Sequence, residues 1–126
     1  MKKIIESINK LVQIEKLDVE GNGNVYLMKI ADIPIRPYIT YVEANRVADY
    51  MKKIVDAIIQ KIDQNKGLTG KDLVNIEQLP TKEGTFYLLT IADVHLRCYI
   101  EGYETLVHKN FMVGVVDEII KQSSGQ

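Results

Sequence analysis

The sequence repeats itself, and that constrains its fold more than any other feature. Residues 24–39, NVYLMKIADIPIRPYI, align with residues 85–100, TFYLLTIADVHLRCYI, at an offset of 61. Continued to residue 60 without a gap, the alignment holds 14 identities in 37 positions; chance at ordinary composition gives about two or three. The shared residues include Tyr26/Tyr87, Ala31/Ala92, Asp32/Asp93, Arg36/Arg97 and Tyr38/Tyr99, then Met51/Met112, Asp56/Asp117 and Ile58/Ile119. Upstream, LVQIEKL at 11–17 matches LVNIEQL at 73–79 at an offset of 62, so the copies differ by one residue in the turn between. Such a chain is expected to fold as two copies of one supersecondary unit.

Each copy reads as three strands and a helix. The first strand covers Val12–Val19, and residues 74–79 in the second copy. Turn formers follow, Glu20-Gly21-Asn22-Gly23 and Pro80-Thr81-Lys82-Glu83-Gly84, and then two runs rich in Val, Ile, Tyr and Leu, the composition of strands. Ala31-Asp32 and Ala92-Asp93 are the expected tips of tight hairpins. Pro34 and Pro37 require the third strand of the first copy to be an edge strand or bulged. Val47, Tyr50, Met51, Ile54, Ile58 and Ile62 recur at three- and four-residue steps, as do Val107, Phe111, Met112, Val115 and Ile119. That spacing predicts one buried face on a helix of five or six turns in each copy. The start of the chain, with IIESIN at 4–9, resembles the end of the first long helix, IIQKID at 58–63.

The predicted fold is therefore α+β, an internally duplicated α-βββ-α-βββ-α order with an antiparallel sheet carrying helices on one face. Residues 1–126 are expected to form a single domain of two repeats, about 10–66 and 72–122, with Gly67 and Gly70 at the join and the two meanders in one sheet.

A two-residue loop at Ala31-Asp32 pairs Ile30 with Ile33, Met28 with Ile35 and Tyr26 with Pro37, which share the helix-facing side. Tyr87, Leu89, Ile91, Val94, Leu96 and Cys98 fall there in the second copy. The opposite side then carries Arg36, Tyr38, Phe86, Leu88, Arg97 and Tyr99, the candidate binding face. Tyr and Arg are enriched at protein interfaces. They also suit single-stranded nucleic acid, stacking on bases and meeting phosphates. The plainer alternative is that the arginine stems lie over the tyrosine rings on an exposed sheet.

The second helix has lost charge relative to the first: Arg46, Lys52 and Lys53 become Val107, Val113 and Gly114. The run from Phe111 to Val116 is too apolar for a helix with one solvated side. Val107, Phe111, Val113 and Gly114 are the expected homodimer interface; the alternative is that more of the chain covers this helix.

Composition excludes more than it selects. The chain is 46% hydrophobic and 26% charged, with 16 basic and 17 acidic side chains, an ordinary globular balance. Residues 1–61 carry 10 basic and 8 acidic side chains and residues 62–126 carry 6 and 9, so only the first half offers phosphates a modest positive surface. One cysteine, Cys98, cannot close an intramolecular disulfide or build a cysteine-based zinc site. It reads as a small core residue in a reducing, cytoplasmic compartment. Neither a secretory apolar region nor a membrane-spanning run is found. No P-loop, G-x-G-x-x-G or G-x-S-x-G motif occurs. His95 and His108 lack ligands at metal-binding spacing and read as surface histidines. Asp32 and Asp93 suit hairpin tips, and Glu43 and Glu104 suit helix starts. No catalytic residue, metal or cofactor is assigned.

These observations point to a small non-enzymatic protein-interaction module, adaptor-like, chaperone-like or regulatory, and homodimeric. The alternatives are a nucleic-acid-binding module using the Arg/Tyr face, which the charge balance disfavours, and an enzyme with a site between the repeats, which no motif supports. In element order alone the chain resembles small secretion-chaperone-type α+β folds and, more coarsely, the saddle of TATA-box-binding proteins.

Overall fold

The computed structural model describes residues 10–20 and 23–124. The helix expected at the start of the chain, over residues 2–9, lies outside them. The elements are β1 (Val12–Val19), β2 (Gly23–Ile30), β3 (Ile33–Tyr38), α1 (Tyr41–Gln64), the short helix α2 (Gly70–Leu73), β4 (Val74–Thr81), β5 (Gly84–Ile91), β6 (Val94–Tyr99) and α3 (Gly102–Ser124). Apart from α2, which the sequence pattern does not announce, this is the predicted α+β order. The chain divides into two compact units, residues 1–56 and 57–126, with the division inside α1.

Each unit holds an antiparallel three-stranded meander, β1-β2-β3 and β4-β5-β6. The single continuous sheet expected from the sequence is not formed; the strands make two separate sheets. The outer strands β3 and β6 are poor edges. Pro34 and Pro37 deprive β3 of ladder donors, and both β3 and β6 are irregular, so neither presents a clean edge for further pairing.

The two sheets repeat each other in detail. Three residues separate β1 from β2 and two separate β4 from β5, which locates the one-residue difference between the copies. Both hairpin tips are two-residue turns with positive φ at each central position: 52° and 69° at Ala31 and Asp32, 50° and 68° at Ala92 and Asp93. This is the turn whose twist matches that of paired strands, although it usually takes Asn or Gly. A tertiary hydrogen bond holds each tip in place. The Ala31 N–H donates to the Leu11 carbonyl and the Ala92 N–H to the Leu73 carbonyl, both at 2.9 Å. Ala31 and Ala92 are buried at these left-handed positions, where a β-branched side chain is strained.

A second shared feature decides the faces. Lys29 pairs with Pro34 but Met28 pairs with Arg36, leaving Ile35 as an extra residue on β3. In the same way Thr90 pairs with His95 and Leu89 with Arg97, leaving Leu96 extra on β6. Each is a β-bulge, and it reverses the in–out alternation of the residues that follow. Tyr38 therefore falls opposite Tyr26, and Tyr99 opposite Tyr87, on the core side.

In the second unit α3 lies against one face of β4–β6. Val74, Leu89, Ile91 and Tyr99 are buried there, with Met112, Val115, Val116 and Ile119 of the helix. Ala44, Ala48, Met51, Ile54 and Val55 are the buried residues of α1 in the first unit. Thr105 takes the place of Ala44; its hydroxyl donates to the Glu101 carbonyl at 2.7 Å, so the buried oxygen is paired. At the start of α1, Thr40 Oγ1 accepts the Glu43 N–H at 3.1 Å, an N-cap.

Ala31→Val and Ala92→Val are expected to cost about 1–3 kcal/mol each, because a β-branched side chain resists the left-handed conformation. Urea unfolding midpoints check this, with a surface substitution such as Asn45→Ala as the control.

Candidate interaction surface

The bulges rearrange the predicted binding face. Arg36, Tyr38, Phe86, Leu88, Arg97 and Tyr99 do not share one surface. Tyr38 and Tyr99 are 7% and 5% exposed and face the core, so their rings cannot serve as open stacking platforms. Phe86 and Leu88 point to the other side of their sheet, where Leu79 and Glu77 are their cross-strand partners, and are half-buried. Cys98 is corrected as well: it is exposed rather than in the core, because the bulge turns it away from the helix. The solvent face of the first sheet carries the cross-strand pair Lys29–Glu15, 3.4 Å apart.

Arg36 and Arg97 remain exposed, and each lies over the ring two residues ahead. The guanidinium carbons are 5.5 Å from the Tyr38 centroid and 5.0 Å from the Tyr99 centroid, a cation–π arrangement. The arginine-over-tyrosine contact expected from the sequence is thus present, with the ring buried and only the cation outside. Burial pushes both phenols above the ordinary 10.0, the nearby guanidinium pulling the other way and falling short.

The second copy adds a partner that sequence reading passed over. His108 Nδ1 is 2.7 Å from the Tyr99 hydroxyl, and the rings meet edge to face with centroids 5.0 Å apart. The phenol donates to this nitrogen when the imidazole is neutral with its proton on Nε2. The equivalent residue of the first copy is Val47. His108 is accordingly a structural, half-buried side chain rather than a surface histidine, whereas His95 is exposed.

The long helices differ most on their outer faces. On α1 the outward positions are Val42, Asn45, Arg46, Asp49, Tyr50 and Lys53, a largely polar set. The equivalent positions of α3 are Tyr103, Leu106, Val107, Asn110, Phe111 and Gly114. Of these, Tyr103 is 76% exposed, Leu106 48%, Val107 46% and Phe111 45%. Their spacing of three and four residues makes a second apolar stripe, opposite the face that packs on the sheet. Val107 and Phe111 thus leave the single buried face that their periodicity suggests, because Thr105, Met112, Val116 and Ile119 already fill it. Three of the predicted interface residues, Val107, Phe111 and Gly114, lie on the stripe. The fourth does not: Val113 is half-buried and packs on Gly70 of α2, where a Cβ would meet its carbonyl oxygen and lie 3.1 Å from its Cγ1. The Gly70 N–H donates to Asp117 Oδ1 at 2.6 Å in the same contact. Tyr103 and Leu106 are the stripe residues the sequence reading missed; comparing α3 position by position with α1 would have found them.

Ile39 and Ile100, at equivalent places just before the two helices, are 80% and 78% exposed. In the second unit a shallow polar depression of about 310 Å³ is lined by Lys61, Asp72, Asn75 and Asp93 among others. Its charges are already engaged: Lys61 pairs with Asp93 at 2.6 Å, and Asp72 accepts the Thr69 N–H at 2.8 Å. Among the described residues no group of three or more His, Cys, Asp or Glu could hold a metal ion. No helix among them is long and apolar enough to cross a membrane. No family model, curated protein or solved structure matches this chain.

The raised phenols make stability fall at high pH. The unfolded chain releases these protons first, so the contribution is full below pH 10 and is lost as pH rises through the folded-state values. Tyr38→Phe with Tyr99→Phe is expected to flatten the decline seen in urea unfolding between pH 9 and 11. At pH 7 Tyr99→Phe alone is expected to cost about 0.5–1.5 kcal/mol through the lost His108 bond.

Proposed function

We propose that this chain is a small non-enzymatic protein-interaction module, of adaptor, chaperone-like or regulatory kind, that works as a homodimer through α3. The observation that carries the reading is the exposed apolar stripe of Tyr103, Leu106, Val107 and Phe111 on a helix whose other face is already buried. The largest apolar patch of a folded protein is often a binding surface. Aromatic and aliphatic side chains in such a patch are what protein partners bury. A cytoplasmic location belongs to the same reading and rests on the single unpaired Cys98.

The nucleic-acid alternative loses support because Tyr38 and Tyr99 are buried, which leaves Arg36 without an open aromatic neighbour on its strand and Arg97 with His95 alone. Titration into labelled single- and double-stranded DNA and RNA, at low and moderate salt, is expected to leave the anisotropy flat. Salt-sensitive micromolar binding that disappears in the Arg36→Ala/Arg97→Ala variant would overturn the protein-interaction reading.

A further inference from the structure

From the outer face of α3 we infer that its occupant is a second copy of the same helix, lying antiparallel across a two-fold axis. The inference rests on the protein-interaction reading and goes further by fixing partner, direction and register.

Area is the first argument. Ile100, Tyr103, Leu106, Val107 and Phe111 are 45–78% exposed and leave about 500 Å² of side-chain surface open, near the upper end for the largest patch of a monomer. Two copies meeting on this face would remove at most about 1,000 Å² in total, the size of a weak, concentration-dependent dimer. The stripe occupies the first three turns of α3 and stops at Gly114; Asp117 and Lys121, farther along the same line, are charged and exposed. A short apolar centre bounded by charge suits a helix pair of limited length.

Shape is the second. Gly114 is exposed, and among the described residues nothing beyond its own stretch of helix lies within 4 Å of the place its Cβ would occupy. The largest side chain of the stripe, Tyr103, stands eleven residues away at the other end, about 17 Å along the helix. An antiparallel pair with its two-fold level with the His108–Lys109 peptide bond sets Tyr103 over the partner's Gly114. It also sets Leu106 level with the partner's Phe111, and Val107 level with the partner's Asn110, one residue from Phe111. The large residue fills the gap above the small one at both ends, as an isologous interface requires. A parallel pair would oppose Tyr103 to its own copy and leave the two glycines facing a void. The duplication supplies the control: α1 keeps Asn45, Arg46, Asp49 and Lys53 on its equivalent face, all exposed, so the unit itself does not demand an apolar outer stripe.

Light scattering and cysteine crosslinking test this together. Wild type at about 100 μM should show twice the 14.4 kDa chain mass. Phe111→Glu should halve it while the circular dichroism spectrum keeps its wild-type shape and the melt stays cooperative, and Val107→Lys added to Phe111→Glu should restore it. In a Cys98→Ser background, Tyr103→Cys with Gly114→Cys should form an interchain disulfide and Tyr103→Cys alone should not. A monomeric wild type, or a dimer indifferent to Phe111→Glu, overturns the inference together with the homodimer of the proposed function, and leaves an interaction module that docks a different protein. Crosslinking by Tyr103→Cys alone overturns the antiparallel register and keeps the dimer. Nucleic-acid binding in the anisotropy titration is the separate result that removes the underlying reading.

Discussion

One surplus residue on the outer strand of each sheet governs what this protein keeps inside and what it shows. Ile35 and Leu96 have no partner of their own across the ladder, and the strand beyond them is turned over. Without the bulge, Pro37 and Cys98 would face the core and Tyr38 and Tyr99 the solvent. With it, two large aromatic rings close the core near the start of each long helix, and each arginine two residues back covers the ring from outside. The hairpin tips make the arrangement possible. They place Ile30 against Ile33 and Ile91 against Val94 in fixed register, and each is tied by a hydrogen bond to the residue preceding its first strand.

Duplication then allowed the copies to diverge where the fold does not depend on the residue. The positions that hold the unit together are kept: the Ala-Asp tips, the bulged outer strand, the buried tyrosines, and Met51/Met112 and Ile58/Ile119 on the helices. Tyr26 meets Tyr41 edge to face in the first copy, whereas Tyr87 lies against Gly102 in the second. Val47 has become His108 and bonds to Tyr99. On the outer face of α3 every charged residue of α1 has given way to an apolar or neutral one. That change offers the fold nothing, since the opposite face of α3 already buries Met112, Val115, Val116 and Ile119. It does offer a partner a surface, and this contrast carries the functional argument.

The strands, hairpin tips and long helices were legible because each leaves a periodic or turn-forming signature that the second copy repeats. The faces beyond the hairpin were not, because a bulge is one residue long and Ile35 and Leu96 look like any strand residue; Pro34 and Pro37 hinted at it in one copy only. Helix α2 escaped notice because four residues are too few for a period. On α3, Phe111 stands four residues from the buried Val115 and three from the exposed Gly114, and Val107 stands four from both Phe111 and Tyr103. Periodicity alone therefore could not divide one apolar helix into two faces. The structure divides it through the sheet, which contacts only the face of Met112 and Ile119.

The account turns on which aromatic side chains are inside and which are outside, and hydroxyl-radical footprinting read residue by residue at two protein concentrations measures that directly. In dilute protein, Tyr103 and Phe111 should oxidise rapidly while Tyr38 and Tyr99 stay protected, and concentration should protect Tyr103 and Phe111 alone. Oxidation of Tyr38 and Tyr99 at the rate of Tyr103 would contradict the bulged register, and concentration-independent rates at Tyr103 and Phe111 would contradict the role given to α3.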